Sequence, residues 1–182
     1  METYKLYCFR KEDVMANDIS IALYTPDHRD TCAEMFERVY SSPPFGFDWL
    51  NADKTFRYFS DLENQPNSLN YVLMEYNSVI GVCMGQKEES FQTPGYKINE
   101  FFIEPGRQRM GLGSFFVSEL EKKLREMDLK VMYLFTQRNM GSYFFYRKNG
   151  FFSNDKTVHM ARAIQQEPTI VYTRTFLNSD SE

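Results

Sequence analysis

The chain has 182 residues with 42% hydrophobic and 25% charged side chains, which suits one globular domain with a sizeable core. No apolar run reaches the ~18 residues of a membrane span, the N-terminus lacks a signal-peptide pattern, and a cytoplasmic protein is expected. A net charge of −4 argues against nucleic acid as the main partner and favours a cationic one.

Only two histidines are present, and Cys8, Cys32 and Cys83 are scattered without a C-x-x-C pair. No metal site is expected, and the cysteines read as reduced, buried thiols.

Tyr4–Phe9 alternates weakly as an edge strand, and Ile19–Tyr24 reads as a second strand. A helix then starts at Thr25-Pro26, with Thr25 as N-cap and Pro26 in the first helical position. Ala33, Phe36, Val39 and Tyr40 form its apolar face, and Ser41-Ser42-Pro43-Pro44 stops it. The stretch 43–49 (PPFGFDW) is a rigid aromatic loop. Phe45, Phe47 and Trp49 either pack onto the core or wall an acceptor pocket, with Asp48 and Asp53 as nearby carboxylates. Residues 51–62 resume a helical pattern carrying Phe56, Phe59 and Leu62 on one side.

Residues 69–76 and 79–86 read as strands joined at Asn77-Ser78, and with the strand ending at Glu104 they predict an antiparallel meander. Residues 112–126 form the strongest helical pattern, with Leu112, Phe116, Leu120 and Leu124 every fourth residue. The short apolar run 130–136 then predicts a buried strand, parallel to its predecessor if the helix is the crossover. Asn139 or Ser142 is expected to cap a helix over 143–148, ended by Asn149-Gly150. Residues 157–164 and 169–176 read as strands, and 177–182 as a tail. No linker splits the chain, so one domain over 1–182 is expected, with an acceptor-side helical region over about 19–66.

The chain is organised around 98–116, INEFFIEPGRQRMGLGSFF. A strand runs through a glycine-containing turn into a helix N-terminus, where unpaired N–H groups and the helix dipole favour an anion. Gly106 and Gly111 have P-loop spacing, but Leu112-Gly113-Ser114 stands where Lys-Ser/Thr is needed. Gly111-Leu112-Gly113 begins a dinucleotide fingerprint, but Phe116 replaces its third glycine.

Gln108-Arg109-Met110-Gly111-Leu112-Gly113 instead resembles the Q/R-x-x-G-x-G/A signature of the GCN5-related N-acetyltransferases. A second segment, 139–151 (NMGSYFFYRKNGF), is similar to that family's N-x-x-A-x-x-F-Y-x-x-x-G-F. Asn139, Phe145, Tyr146, Gly150 and Phe151 fall in register, and Ser142 stands where Ala is usual. The resemblance covers about 69–164 and implies an α/β (α+β) fold. Its mixed central sheet would have six to seven strands, splayed between the fourth and fifth and flanked by helices.

The resemblance further implies acetyl-coenzyme A as co-substrate. Main-chain groups of Phe102 and Ile103 would hold its pantetheine arm, and amides from Gln108, Arg109, Met110, Gly111, Leu112, Gly113 and Ser114 its pyrophosphate. Asn139 and Phe145 would complete the cofactor site. Glu100 is the implied base that deprotonates an acceptor ammonium, and Tyr146 the implied proton donor to the leaving thiolate, with Tyr143 in reserve. Glu100 and Glu104 share a strand face, and a bulge would decide which enters the cleft. A partner for a nearby Lys or Arg is the other reading of Glu100.

The expected acceptor is a primary amine of a small cationic molecule, an aminoglycoside-like polyamine sugar being one version by faint likeness to bacterial family members. A peptide or protein amine, and a catalytically silent acyl-coenzyme A sensor, are the alternatives. A homodimer is a family-level expectation.

Overall fold

The computed structural model describes residues 19–43, 45–46, 51–89, 93–154, 156 and 160. The chain divides into two compact units, Met1–Gly150 and Phe151–Glu182, and every helix and strand below belongs to the first.

A polar first turn leads into the first helix. Thr25 and His28 satisfy each other, the Thr25 N–H lying 3.0 Å from His28 Nδ1. The chain makes a 3-10 turn over Pro26–His28 before α1, Arg29–Tyr40. The expected start at Thr25 is therefore the start of that turn, and the α-helix proper begins at Arg29. Helix α2, Ala52–Glu63, is capped by the Asn51 side chain, which accepts from the Lys54 N–H at 3.0 Å. Phe59 and Leu62 are buried as their spacing predicts. Phe56 is 44% exposed and lies under the Arg29 guanidinium instead.

The sheet has five strands among the described residues: β1 Ile19–Leu23, β2 Tyr71–Glu75, β3 Ser78–Glu88, β4 Gly95–Ile103 and β5 Val131–Tyr133, in that spatial order. The first four are antiparallel neighbours, and β5 lies parallel to β4 through the crossover helix α3, Leu112–Glu126. The meander and the parallel step are as expected. The further strands expected at 4–9, 157–164 and 169–176 lie outside the described residues. Strand β5 departs from expectation in burial, because it is at the sheet edge among the described residues, with Val131 exposed, and Phe135 beyond it is 72% exposed.

Alternate residues of β4 feed the two faces of the sheet. Phe102 meets the rings of Phe36, Tyr40 and Phe59 from α1 and α2. Phe101 meets Phe116 of α3 and Phe145 and Tyr146 of α4, Gly141–Lys148. Each buried ring contributes about 1.5–3 kcal/mol relative to exposure. Helix α4 is preceded by Met140, which makes no side-chain cap. Neither Asn139 nor Ser142 caps it as expected: Met140 holds the N-cap position, and Ser142 lies inside the helix with its hydroxyl 2.8 Å from that of Thr136. Gly150 closes the C-terminal end at φ 85°, as expected.

Between Met84↔Glu100 and Gly85↔Ile98 the β3–β4 register shifts by one residue, which makes Asn99 the extra residue of a bulge. Gly85 sits at the shift, where an added Cβ would lie 2.4 Å from Tyr96 Cζ and 2.6 Å from the Lys97 carbonyl oxygen. Gly85→Ala is therefore expected to destabilise the fold by at least the about 1–3 kcal/mol typical of overpacking, read as a lower urea midpoint. An unchanged midpoint would show that Tyr96 moves freely, despite the 2.6 Å bond from its hydroxyl to the Leu69 carbonyl.

Candidate active site

Strands β4 and β5 pair only at Gly95↔Val131, Tyr96↔Met132 and Lys97↔Tyr133. Beyond that row β4 continues to Ile103 with no strand beside it on that edge among the described residues, while the strand β5 ends at Tyr133. The two strands therefore part in a wedge, and Glu100 stands on β4 just past the fork.

The Glu100 carboxylate is half-buried and held by two tyrosines. Tyr40 of α1 donates its hydroxyl to Oε2 at 2.8 Å, and Tyr58 of α2 donates to Oε1. Burial raises Glu100 above the ordinary carboxylate range, and the two hydroxyl bonds oppose that rise. Among the described residues no Lys, Arg or His pairs with it. The reading of Glu100 as an ion-pair partner thus gives way to a carboxylate bound by neutral donors. Glu104, on the same face, is taken by Arg38, with Nη2–Oε2 at 2.7 Å and Nε–Oε1 at 3.1 Å. That bidentate pair, and not the bulge, separates the two carboxylates.

Tyr146 is buried at 9% relative exposure, and burial first, then the charges of Cys83 and Glu100, raise its phenol well above the ordinary value. It is a protonated phenol at neutral pH, close enough to Glu100 to feel its charge. Tyr143, the reserve donor, lies three residues earlier on the same helix. Burial pushes the Cys32 and Cys83 thiols up to about 12, so neither is a thiolate at neutral pH.

At the far end of β4 the chain turns through a 3-10 turn, Pro105–Arg107, and then through Arg109 at φ 62° and Gly111 at φ 82° into α3. Gly111 is the N-cap and carries no side chain to meet the first-turn N–H groups of Leu112, Gly113 and Ser114. An added Cβ at Gly106 or Gly111 would meet nothing within 4 Å, so the approach to these amides is open. Open first-turn N–H groups at a helix N-terminus suit an anion.

The side chains here divide into two sets. The Gln108 side-chain amide donates to the Ile103 carbonyl at 3.0 Å, tying the loop to the strand end. Leu112 is buried in the core, which leaves only its backbone for a ligand. Arg107 is paired with Glu75 of β2, and its Nε is buried with no hydrogen-bond partner among the described residues. Gly113 has a reason the sequence did not suggest: a Cβ there would lie 3.0 Å from Phe145 Cε2, so its absence lets α4 lean on α3. Phe145 in turn stacks on Phe101 at 5.8 Å. The structure thus gathers Gly113, Phe145, Tyr146 and β4 into one place. Asn139 lies in the exposed turn before α4, and Met110 is half-buried.

On the acceptor side, the Phe45 ring lies 4.7 Å from that of Tyr40, one ring removed from Glu100. Phe47, Asp48 and Trp49 lie outside the described residues, and Asp53 is exposed in the first turn of α2. A cavity of about 610 Å³, lined by residues that include Gln65, Gln86, Glu88, Lys97 and Asn99, opens on the same sheet face as Glu100. The face is shared because Met84 and Gln86 are two apart on β3 and pair with Glu100 and Lys97 respectively. The Asn99 bulge is what brings Lys97 onto that face. Here Tyr133 donates its hydroxyl to Glu88 and is pushed up to about 12, by burial and then by that bond.

Sequence reasoning passed over Tyr40 as a catalytic neighbour and did not single out Tyr58. The available signal was a hydroxyl on an apolar helical stripe where Phe would pack as well.

Residues 33–151 match the model of the acetyltransferase (GNAT) family, and the chain belongs to that family. Members of this family use acetyl-coenzyme A as co-substrate. A search of the curated proteins finds no match.

Among solved structures, the chain is similar to an aminoglycoside acetyltransferase from an uncultured soil metagenomic sample, in complex with sisomicin. The TM-score is 0.64 at 16% identity, over 83% of this chain and 99% of that one. A possible acetyltransferase from Clostridium difficile 630 matches with a TM-score of 0.69 at 15% identity, over 81% and 99%. A putative acetyltransferase from Agrobacterium tumefaciens str. C58 matches at 0.63 and 17%, over 79% and 99%. Among the described residues no helix is long and apolar enough to cross a membrane, and no cluster of metal-ligating side chains occurs.

Proposed function

We propose that this protein is an N-acetyltransferase that moves the acetyl group of acetyl-coenzyme A directly to a primary amine of a small cationic acceptor, with both substrates bound together. The observation that carries this reading is Glu100, a shielded carboxylate with no cationic partner among the described residues, standing where β4 and β5 part. Acetyl-coenzyme A supplies the activated thioester. First-turn N–H groups of Leu112, Gly113 and Ser114 bind its diphosphate through charge-assisted hydrogen bonds. Past its last pairing with β5, main-chain groups of β4 around Phe102 and Ile103 align the pantetheine arm as an added strand would, with the Ile103 carbonyl already engaged by Gln108.

The acceptor enters from the opposite side, over the polar cavity beside Lys97 and Asn99 and toward Phe45. Glu100 takes one proton from its ammonium, directly or through one water, and so frees the nitrogen lone pair. A base raised above the ordinary carboxylate range is better matched to that proton than a solvated one. Tyr146 holds the proton given to the departing sulfur. Buried thiols at Cys32 and Cys83 support transfer without an acyl-enzyme.

The test is thiol release from acetyl-coenzyme A across a panel of amines, for wild type and Tyr146→Phe. Amine-dependent release that falls about 10²-fold in the variant is expected. Release that is independent of amine would overturn the reading, and an unslowed variant would remove Tyr146 from its role.

A further inference from the structure

Two hydroxyls from two helices converge on one strand carboxylate, each on a different oxygen. Tyr40 comes from the last turn of α1 and Tyr58 from the middle of α2, so the arrangement exists only when both helices are packed on β4. Neither hydroxyl is needed to place its own ring. Tyr40 packs on Phe36 at 4.3 Å and on Phe45 at 4.7 Å, and Tyr58 packs on Phe36 at 5.6 Å, through ring faces and edges that Phe would supply equally. An ionised carboxylate has about four acceptor directions, so two donated bonds still leave room for an incoming ammonium or a bridging water.

We propose that Tyr40 and Tyr58 clamp the Glu100 carboxylate in its ionised form and aim it into the wedge, acting as positioning residues for proton removal. The inference rests on the reading of Glu100 as the base. Among the described residues the groups facing Glu100 are Tyr40 from α1, Tyr58 from α2 and Tyr146 from α4, while β3 sets the apolar Met84 opposite it. Among the described residues these titratable neighbours are tyrosines that stay neutral through the physiological range, so the two donated bonds oppose the cost of burying the charge. Removing either hydroxyl removes stabilisation of the ionised form only, because a carboxylic acid accepts hydrogen bonds more weakly.

The test is the titration of the Glu100 carboxyl carbon, followed by NMR in protein labelled at glutamate, for wild type, Tyr40→Phe and Tyr58→Phe, with Glu100→Gln to assign the signal. Each Tyr→Phe change is expected to move the titration up by about one pH unit, a tenfold change in proton affinity. The acidic limb of kcat/KM should move with it while KM for acetyl-coenzyme A stays put. A tyrosine with a merely structural role would lower the melting temperature and leave the titration where it is. Tyr58 is 36% exposed, so Tyr58→Phe carries the test even where Tyr40→Phe loosens the core.

Coincident titrations in wild type and Tyr58→Phe would overturn the clamp. Full turnover in Glu100→Gln would overturn the role of Glu100 itself, and the NMR readout, which needs no substrate, keeps the two failures apart.

Discussion

Replacing Glu100 by Gln is expected to slow amine-dependent thiol release by about 10²–10⁴-fold at neutral pH, with coenzyme binding retained. The amide keeps the shape and can still meet both tyrosine hydroxyls, so the loss isolates proton removal. Wild-type kcat/KM should rise with pH through a limb above the ordinary carboxylate range, because burial raises Glu100, and the variant should lack that limb.

The same shift has a consequence for stability with a definite sign. The folded state holds the Glu100 proton more tightly than the unfolded state does. Its contribution is therefore complete below the ordinary carboxylate pKa and declines as pH rises through the raised value. At neutral pH Glu100→Gln should match or exceed wild type in urea midpoint, and the advantage should vanish below the ordinary carboxylate range. A variant that is inactive and also strongly destabilised at neutral pH would point to a structural carboxylate instead.

Gly111→Val is expected to weaken coenzyme A binding by about 10–100-fold, measured by calorimetry. The residue sits at φ 82°, where a β-branched side chain is strained, so the turn must open to accept it. Opening the turn rotates the first-turn amides of α3 away from the ligand, and one lost charge-assisted hydrogen bond is worth about 1.5–3 kcal/mol. The space beside Gly111 is open, so the strain is in the backbone and not in packing. Full affinity in a folded Gly111→Val would remove this turn as the diphosphate site. Gly113→Ala should behave differently, acting through the Phe145 contact at 3.0 Å and so on the seating of α4.

Local pattern was enough for the elements whose signal is local. The four-residue recurrence from Leu112 to Leu124 defined α3 with the bounds the structure has, and the β2–β3–β4 meander followed from short apolar runs separated by turn residues. Where a signal depended on partners, it misled. The short apolar run after Lys130 reads as a buried strand, yet β5 pairs with β4 at three positions and is half-exposed among the described residues, since nothing in the run reveals where β4 turns away. Asn139 and Ser142 have capping chemistry, but Thr136 lies within reach of the Ser142 hydroxyl and engages it.

The site divides in the same way. Gly111, Gly113, Glu100 and Tyr146, the residues of the proposed site, stand out by motif spacing because a turn, a strand and a helix hold them over short sequence distances. What engages them does not. Arg107 stands in the loop before α3, yet its partner is Glu75, on another strand. Glu100 and Glu104 look equivalent until Arg38 is seen to take one of them. Tyr40 and Tyr58 are unremarkable aromatic positions until α1 and α2 close over β4. The sequence by itself determined the order of elements, the family and the chemical kinds of group at the centre, because periodicity and motif spacing are properties of neighbours along the chain. Only the tertiary structure decided which carboxylate stays uncompensated by a cation, because charge compensation and desolvation depend on groups about 40 to 60 positions away in sequence.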